Sequence, residues 1–197
     1  LPVRPRVLFF ARDWWISGVN SFTETLARYL NDNDVDATLV FPTMNKANAK
    51  HLPDLPIVEL DLEGSPVEQW KRLSDFIESQ APCIVVPNYD YFTSALTPTL
   101  PNNVGSIGII HSDDVEHYDH LHRLGRYWNA IICSNRHLLA ETIAINPDFA
   151  NKSSIIPYGV SVPQSITIPK LRDVGTPLRL VYCGRLTQQQ KRVLDLV

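Results

Sequence analysis

Short blocks of apolar, often β-branched residues alternate along this chain with segments whose apolar positions recur every three or four residues. The first block, Val7-Leu8-Phe9-Phe10, predicts a strand. Val19, Phe22, Leu26 and Leu30 then recur at helical spacing, with Ser21 and Glu24 placed as a capping box. Ala37–Phe41 and Ile57–Leu60 predict two further strands. Ser65-Pro66-Val67-Glu68 reads as a helix start, because Pro in the first turn has no amide to leave unpaired and Glu three residues after the cap can reach back to it. Val67, Trp70, Leu73 and Phe76 would form the apolar stripe of that helix. The alternation continues with a strand at Cys83–Pro87, a short helix at Phe92–Leu96 stopped by Pro98, and a strand at Ser106–His111. A helix capped by Asp113 with Glu116 runs toward Gly125; a strand follows at Ala130–Cys133. Ser134 would cap a helix ended by Asn146-Pro147, before a strand at Ser154–Pro157. Strands joined through helices in units this short favour parallel pairing, so the expected fold is α/β, a Rossmann-like parallel sheet with helices on both faces. Residues 161–177, with Pro163, Pro169, Gly175 and Pro177 among polar residues, break the rhythm and predict a linker. Leu178–Cys183 then predicts one more strand and the beginning of a helix.

Composition excludes several classes. With 197 residues, 44% hydrophobic and 20% charged, the chain is globular in make-up and large enough for one domain plus a piece of another. No apolar run approaches the ~18 residues of a membrane span. The net charge of −3 and the lack of a Lys/Arg cluster disfavour a nucleic-acid partner. Charge is uneven: residues 1–100 carry 8 basic and 13 acidic side chains, residues 101–197 carry 10 and 8. Near the C-terminus Arg179, Arg185, Lys191 and Arg192 face only Asp195, a bias that suits either an anionic ligand or a solvated helix face. Cys83, Cys133 and Cys183 form no CxxC pair, and their odd number suits buried, inert thiols in a reducing compartment. No basic stretch followed by an apolar one marks a secretory leader.

In an open parallel sheet, ligands bind beyond the carboxyl ends of the strands. The loops to inspect are therefore 11–18, 87–91, 111–114, 158–160 and 184–191. The first contains Trp14, Trp15 and a single glycine, Gly18, so the GxGxxG dinucleotide fingerprint is absent. Gly18 at a helix start either lets a phosphate approach the backbone amides or makes an ordinary turn. Trp14 and Trp15 either stack on a sugar or lipid, or wedge against neighbouring helices. His111 ends a strand and precedes Ser112-Asp113-Asp114; it either donates to a ligand hydroxyl or phosphate, or is satisfied by those carboxylates. His111, His117, His120 and His122 lie near Asp113, Asp114, Glu116 and Asp119 but match no metal-ligand spacing, so no metal is expected. Arg185 and Lys191, on either side of a strand-to-helix turn, can converge on an anion at that helix start.

Several of these segments, in this order, resemble the retaining glycosyltransferases of family 4, which have the two-domain GT-B fold. They are Ser17-Gly18-Val19, Ile109-Ile110-His111-Ser112-Asp113-Asp114, Ile131-Ile132-Cys133-Ser134, Ile155-Ile156-Pro157-Tyr158-Gly159-Val160, and Val181-Tyr182-Cys183-Gly184-Arg185-Leu186 followed by Lys191. The resemblance implies that residues 1–160 are the N-terminal, acceptor-binding half of a GT-B fold, 161–177 the interdomain linker, and 178–197 the start of the nucleotide-sugar-binding domain. It implies that Gly18 lies where donor phosphate and acceptor meet, and that His111 contacts the transferred sugar or acceptor hydroxyl as the catalytic position. Arg185 and Lys191 would bind the donor diphosphate; Trp14, Trp15 and Asp113 would face the acceptor. The sequence departs from the family at Ser17, where a second glycine is usual, at Tyr158, where Asn is common, and at Arg192, where Gly is typical. The family's acidic donor-binding motif does not occur by residue 197, so the chain alone is expected to be inactive. The expected partners are a nucleotide-diphosphate sugar, as substrate with no further cofactor, and a glycan or lipid-linked acceptor. The expected location is cytoplasmic, with room for peripheral contact at the inner face of the membrane. Two other readings stay open: a non-catalytic flavodoxin-like binding module, and a GT-B-fold nucleotide-sugar epimerase.

Overall fold

Seven strands make one parallel sheet in the order β3-β2-β1-β4-β5-β6-β7. They are β1 (Arg6–Phe10), β2 (Asp36–Phe41), β3 (Ile57–Glu59), β4 (Cys83–Val86), β5 (Val104–Ile110), β6 (Ala130–Cys133) and β7 (Ser153–Ile155). Five helices lie between them: α1 (Gly18–Asp32), α2 (Pro66–Ser79), α3 (Tyr91–Ser94), α4 (Val115–Leu124) and α5 (Arg136–Ile145). The computed structural model describes residues 4–15, 17–43, 52–88, 90–160, 162, 165, 181–184 and 193–196. The chain divides into two units, residues 1–160 and 161–197, and the sheet belongs to the first.

Both faces of the sheet are covered, and strand alternation decides which residue goes where. In β1, Val7 and Phe9 join a core with Phe22 and Ala27 of α1, while Leu8 and Phe10 join a core with Leu73 and Ile77 of α2. A third cluster, with Ile110, Leu121, Ile131, Cys133, Leu138 and Phe149, fills the β5–β6 end under α4 and α5. Trp128 belongs to it and lies against β5 at Gly108, where a Cβ would stand 2.0 Å from the indole. Glycine is thus what lets the ring sit on that strand.

Several local expectations shift. Ser17 caps α1, taking the amide of Asn20 at 3.1 Å, so Ser21 lies inside the helix rather than at a capping box. The capping box at Ser65–Glu68 is present. In α2 the buried positions are Leu73 and Ile77, and Val67 is exposed, because the sheet meets only the second half of that stripe. Asp114 caps α4 through the amides of Glu116 and His117, and Asn135 caps α5 through Leu138; the sequence assigned each cap one residue earlier. Cys83 and Cys133 are buried as expected, but Cys183 is exposed.

The second unit is described at few positions. Residues 181–184 are exposed and are not in a strand, which departs from the expected strand at 181–183, residues 178–180 lying outside the described ones; Val193–Leu196 form a 3-10 turn.

Candidate functional site

The order of strands reverses between β1 and β4, which are adjacent in the sheet although β2 follows β1 in the chain. The loops leaving these two strands diverge there and leave a crevice, the place where open α/β sheets hold ligands. Two neighbouring features occupy this carboxyl edge.

The first is built around His111, the residue after β5. Its imidazole is 9% exposed and meets protein on both nitrogens: Nδ1 lies 2.9 Å from the Tyr158 hydroxyl, and Nε2 lies 3.3 Å from Asn88 Oδ1. Asn88 leaves β4 with φ 51, a left-handed conformation that Asn tolerates better than most residues. Its Nδ2 donates to the Phe10 carbonyl at 3.0 Å, one residue past the last β1–β4 pair, Phe9 with Val86. The side chain therefore closes the gap where the ladder ends. Tyr158 follows β7, and its hydroxyl also lies 3.1 Å from the His111 carbonyl and bonds Ser134. Phe22 of α1 packs against both rings, at 5.6 Å from His111 and 4.7 Å from Tyr158. Burial pushes the His111 pKa down to about 3, and the His117 ring, 6.1 Å away, acts in the same direction. At neutral pH the imidazole is uncharged.

Gly18 opens α1 one turn before Phe22, so the two share a helix face. A Cβ at Gly18 would meet nothing within 4 Å, so the first turn borders open space. The loop before it is held by Asn20, whose buried amide donates to the carbonyls of Asp13 at 3.3 Å and Trp15 at 2.9 Å. That stitching turns the two tryptophans opposite ways. Trp14 is 5% exposed and stands edge-on to Phe41 in the core, whereas Trp15 is 55% exposed. Stacking on a ligand is therefore open to Trp15, and Trp14 is a wedge. Asp113 is exposed and joins two helices: it accepts from the Tyr118 hydroxyl at 2.8 Å and lies 3.0 Å from His137 Nε2. The Tyr118 bond, then the His137 one, holds its carboxyl below the usual aspartate value. Arg185 and Lys191 lie outside the described residues.

The second feature is an open cleft of about 250 Å³ on the β1–β2–β3 side of the crevice. Arg12 after β1, Thr43 after β2, Leu62 after β3, Gln69 of α2, and Asp90 and Phe92 after β4 line it. The Asp90 carboxylate is already committed to the first turn of α3, through the amides of Phe92 and Thr93 and the Thr93 hydroxyl.

Of the α4 histidines, His117 approaches His111 and His120 makes other contacts. His120 stacks on Tyr91 at 4.1 Å and meets Trp128 edge-on at 5.2 Å; its Nε2 is buried with no hydrogen-bond partner. Among the described residues no group of three or more His, Cys, Asp or Glu is arranged to hold a metal ion, and no helix is long and apolar enough to cross a membrane. Sequence reasoning pointed to His111 but not to Asn88 or Phe22. The available signal for Asn88 was an Asn just after a strand, inside a loop already marked for inspection; nothing local distinguishes Phe22 from any core aromatic.

A parallel sheet in this order, with its polar residues gathered at the carboxyl edge of the switch point, defines a Rossmann-like α/β protein. No protein-family model matches the chain, and no curated protein matches it. Solved structures do share the fold. An alpha-glucosyltransferase in complex with UDP is 15% identical over 81% of this chain, with a TM-score of 0.51. The same kind of enzyme in complex with UDP and a 13-mer DNA is 14% identical over 77%, with a TM-score of 0.52. TcCGT1 in complex with UDP is 13% identical over 85%, with a TM-score of 0.50. The aligned regions cover 42%, 41% and 54% of those chains, so this chain spans about half or less of their length.

Proposed function

We propose that this chain is the N-terminal, acceptor-binding part of a retaining glycosyltransferase similar to family 4. The whole protein would transfer a sugar from a nucleotide-diphosphate donor to a glycan or lipid-linked acceptor. The observation that carries the reading is the meeting, at the switch point of the sheet, of His111 with the opening turn of α1, joined through Phe22. The fold shared with glycosyltransferases solved with UDP supports it.

In this reading the open space at Gly18 admits the donor phosphates toward the α1 amides and the positive end of the helix dipole. Arg185 and Lys191 hold the diphosphate, and their charge stabilises it as it leaves, most strongly in the transition state. His111 contacts the transferred sugar or the acceptor hydroxyl. Trp15 and Asp113 face the acceptor, and the cleft lined by Arg12 and Gln69 offers it room. The donor is a substrate, and no cofactor enters. A similar alpha-glucosyltransferase is complexed with DNA, but a net charge of −3 offers little to a polyanionic acceptor. A lipid-linked acceptor would place the protein in the cytoplasm, at the inner face of a membrane.

The test is calorimetric titration of the whole protein with UDP-glucose. Arg185→Ala and Lys191→Ala should each weaken binding by about 1.5–3 kcal/mol, the usual loss for a hydrogen bond to a charged group. Unchanged affinity in both variants refutes the assignment.

A further inference from the structure

We propose that Asn88 and Tyr158 are positioning residues that hold His111 as the Nε2–H tautomer, leaving Nδ1 as the only lone pair it can offer a ligand. The argument starts at Asn88. Its Nδ2 donates to the Phe10 carbonyl at 3.0 Å, which fixes the amide orientation and leaves Oδ1 facing His111. An amide oxygen 3.3 Å from Nε2 is an acceptor, so Nε2 must carry the proton. Turning the amide over would set its oxygen against the Phe10 carbonyl, two acceptors with no hydrogen between them. Protonating Nδ1 instead would set two lone pairs together at Nε2.

With Nε2 protonated, Nδ1 is an acceptor, and the Tyr158 hydroxyl 2.9 Å away is its donor. That hydroxyl keeps its own lone pairs for the Ser134 hydroxyl. The result is one directional chain: Ser134 to Tyr158, Tyr158 to His111 Nδ1, His111 Nε2 to Asn88, and Asn88 to the end of β1. The Tyr158 hydroxyl has a second acceptor in reach, the His111 carbonyl at 3.1 Å, so its proton is divided between that oxygen and Nδ1, and the tautomer is fixed from the Asn88 side. Among the described residues no carboxylate contacts the imidazole, whose ring neighbours are Phe22, His117 and Tyr158, and none of these favours an imidazolium.

The consequence for catalysis rests on the glycosyl-transfer reading. Nδ1 is blocked by Tyr158, which is 37% exposed on the irregular segment after β7, whereas Nε2 is blocked by the buried Asn88. A sugar hydroxyl that displaces the tyrosine hydroxyl finds a neutral acceptor. It gains a hydrogen bond there and keeps its proton, so His111 orients the sugar rather than acting as a base.

The test needs no activity. Two-bond imidazole spectra of the 15N-labelled 197-residue chain at pH 7 report which nitrogen of His111 bears the proton. The wild type should show Nε2–H with an unprotonated, hydrogen-bonded Nδ1. Asn88→Ala should give a mixture of tautomers. Tyr158→Phe should leave the tautomer unchanged and move the Nδ1 resonance to the position of a free lone pair. An Nδ1–H tautomer in the wild type overturns the proposal, as does a pure Nε2–H tautomer in Asn88→Ala or an unmoved Nδ1 in Tyr158→Phe. Should Asn88→Ala not fold, the wild type and Tyr158→Phe still decide. Failure of donor binding in the whole protein would instead remove the glycosyl-transfer reading and leave the tautomer standing.

Discussion

His120→Phe should make the fold markedly less sensitive to mild acid. His111 and His120 are buried, and desolvation lowers their pKa values from 6.5 to about 3 and about 4. The folded state therefore leaves both neutral, while the unfolded chain protonates them near 6.5. Stability from these groups is fully present above pH 6.5 and is lost as pH falls through 6.5 toward the folded values. The slope is about 1.4 kcal/mol per pH unit for each histidine within that window. At pH 5 an unfolded histidine of pKa 6.5 gains about 2 kcal/mol by binding its proton, and the buried ones gain almost nothing, so the pair loses about 4 kcal/mol together. Against a total stability of roughly 5–15 kcal/mol, that is a large fraction. Phe at 120 keeps an aromatic face for Tyr91 and Trp128, removes a buried nitrogen with no partner, and takes away one titrating group. Urea unfolding followed by tryptophan fluorescence at pH 7.5, 6 and 5 reads the effect. His111 and His120 should cost the wild type about 4 kcal/mol between the ends of that range, burial of His117 lowers its pKa and adds to the loss in both proteins, and His120→Phe should lose about 2 kcal/mol less than the wild type. Asp113 and Asp119 titrate below 3.8, so they do not blur the window. Equal losses in both proteins, or wild-type stability that stays flat down to pH 5, would refute the reasoning.

Other perturbations probe the scaffold. Gly108→Ala drives a methyl to 2.0 Å from the Trp128 ring, which is buried and has nowhere to move, so it should destabilise by about 3 kcal/mol or more in the same urea assay. Lys152→Met should cost about 1.5–3 kcal/mol by the same measurement. Its ammonium donates to the carbonyls of Gly125 at 2.9 Å, Arg126 at 3.2 Å and Trp128 at 2.6 Å, and Met leaves them without that donor. Ser65→Ala removes one half of the α2 capping box and should lower stability by about 1 kcal/mol, with the far-UV spectrum otherwise unchanged.

Local chemistry was legible from the residues alone. Short apolar runs between helically spaced segments located all seven strands of the sheet to within a residue or two, and Ser65-Pro66-Val67-Glu68 marked a helix start that the structure caps as expected. These signals survive because they depend on backbone hydrogen bonds and side-chain direction within one segment. Caps slipped by one residue at Asp113 and Ser134 because adjacent polar residues compete for the same amides, and only the path of the chain decides between them.

What the sequence determined by itself is therefore the alternation of strands and helices, the parallel class that follows from it, and His111 as a polar residue ending a strand. What only the tertiary structure decided is the company His111 keeps. Phe22, Asn88 and Tyr158 are 89, 23 and 47 residues away along the chain, and they meet because β4 is inserted beside β1 and the loops after β4, β5 and β7 share one edge. The same holds for Trp14 and Trp15, identical and adjacent in sequence, of which one is core and the other surface. Periodicity records which way a side chain points within its own element. Which elements become neighbours depends on strand order, a non-local choice settled by the burial of both sheet faces at once.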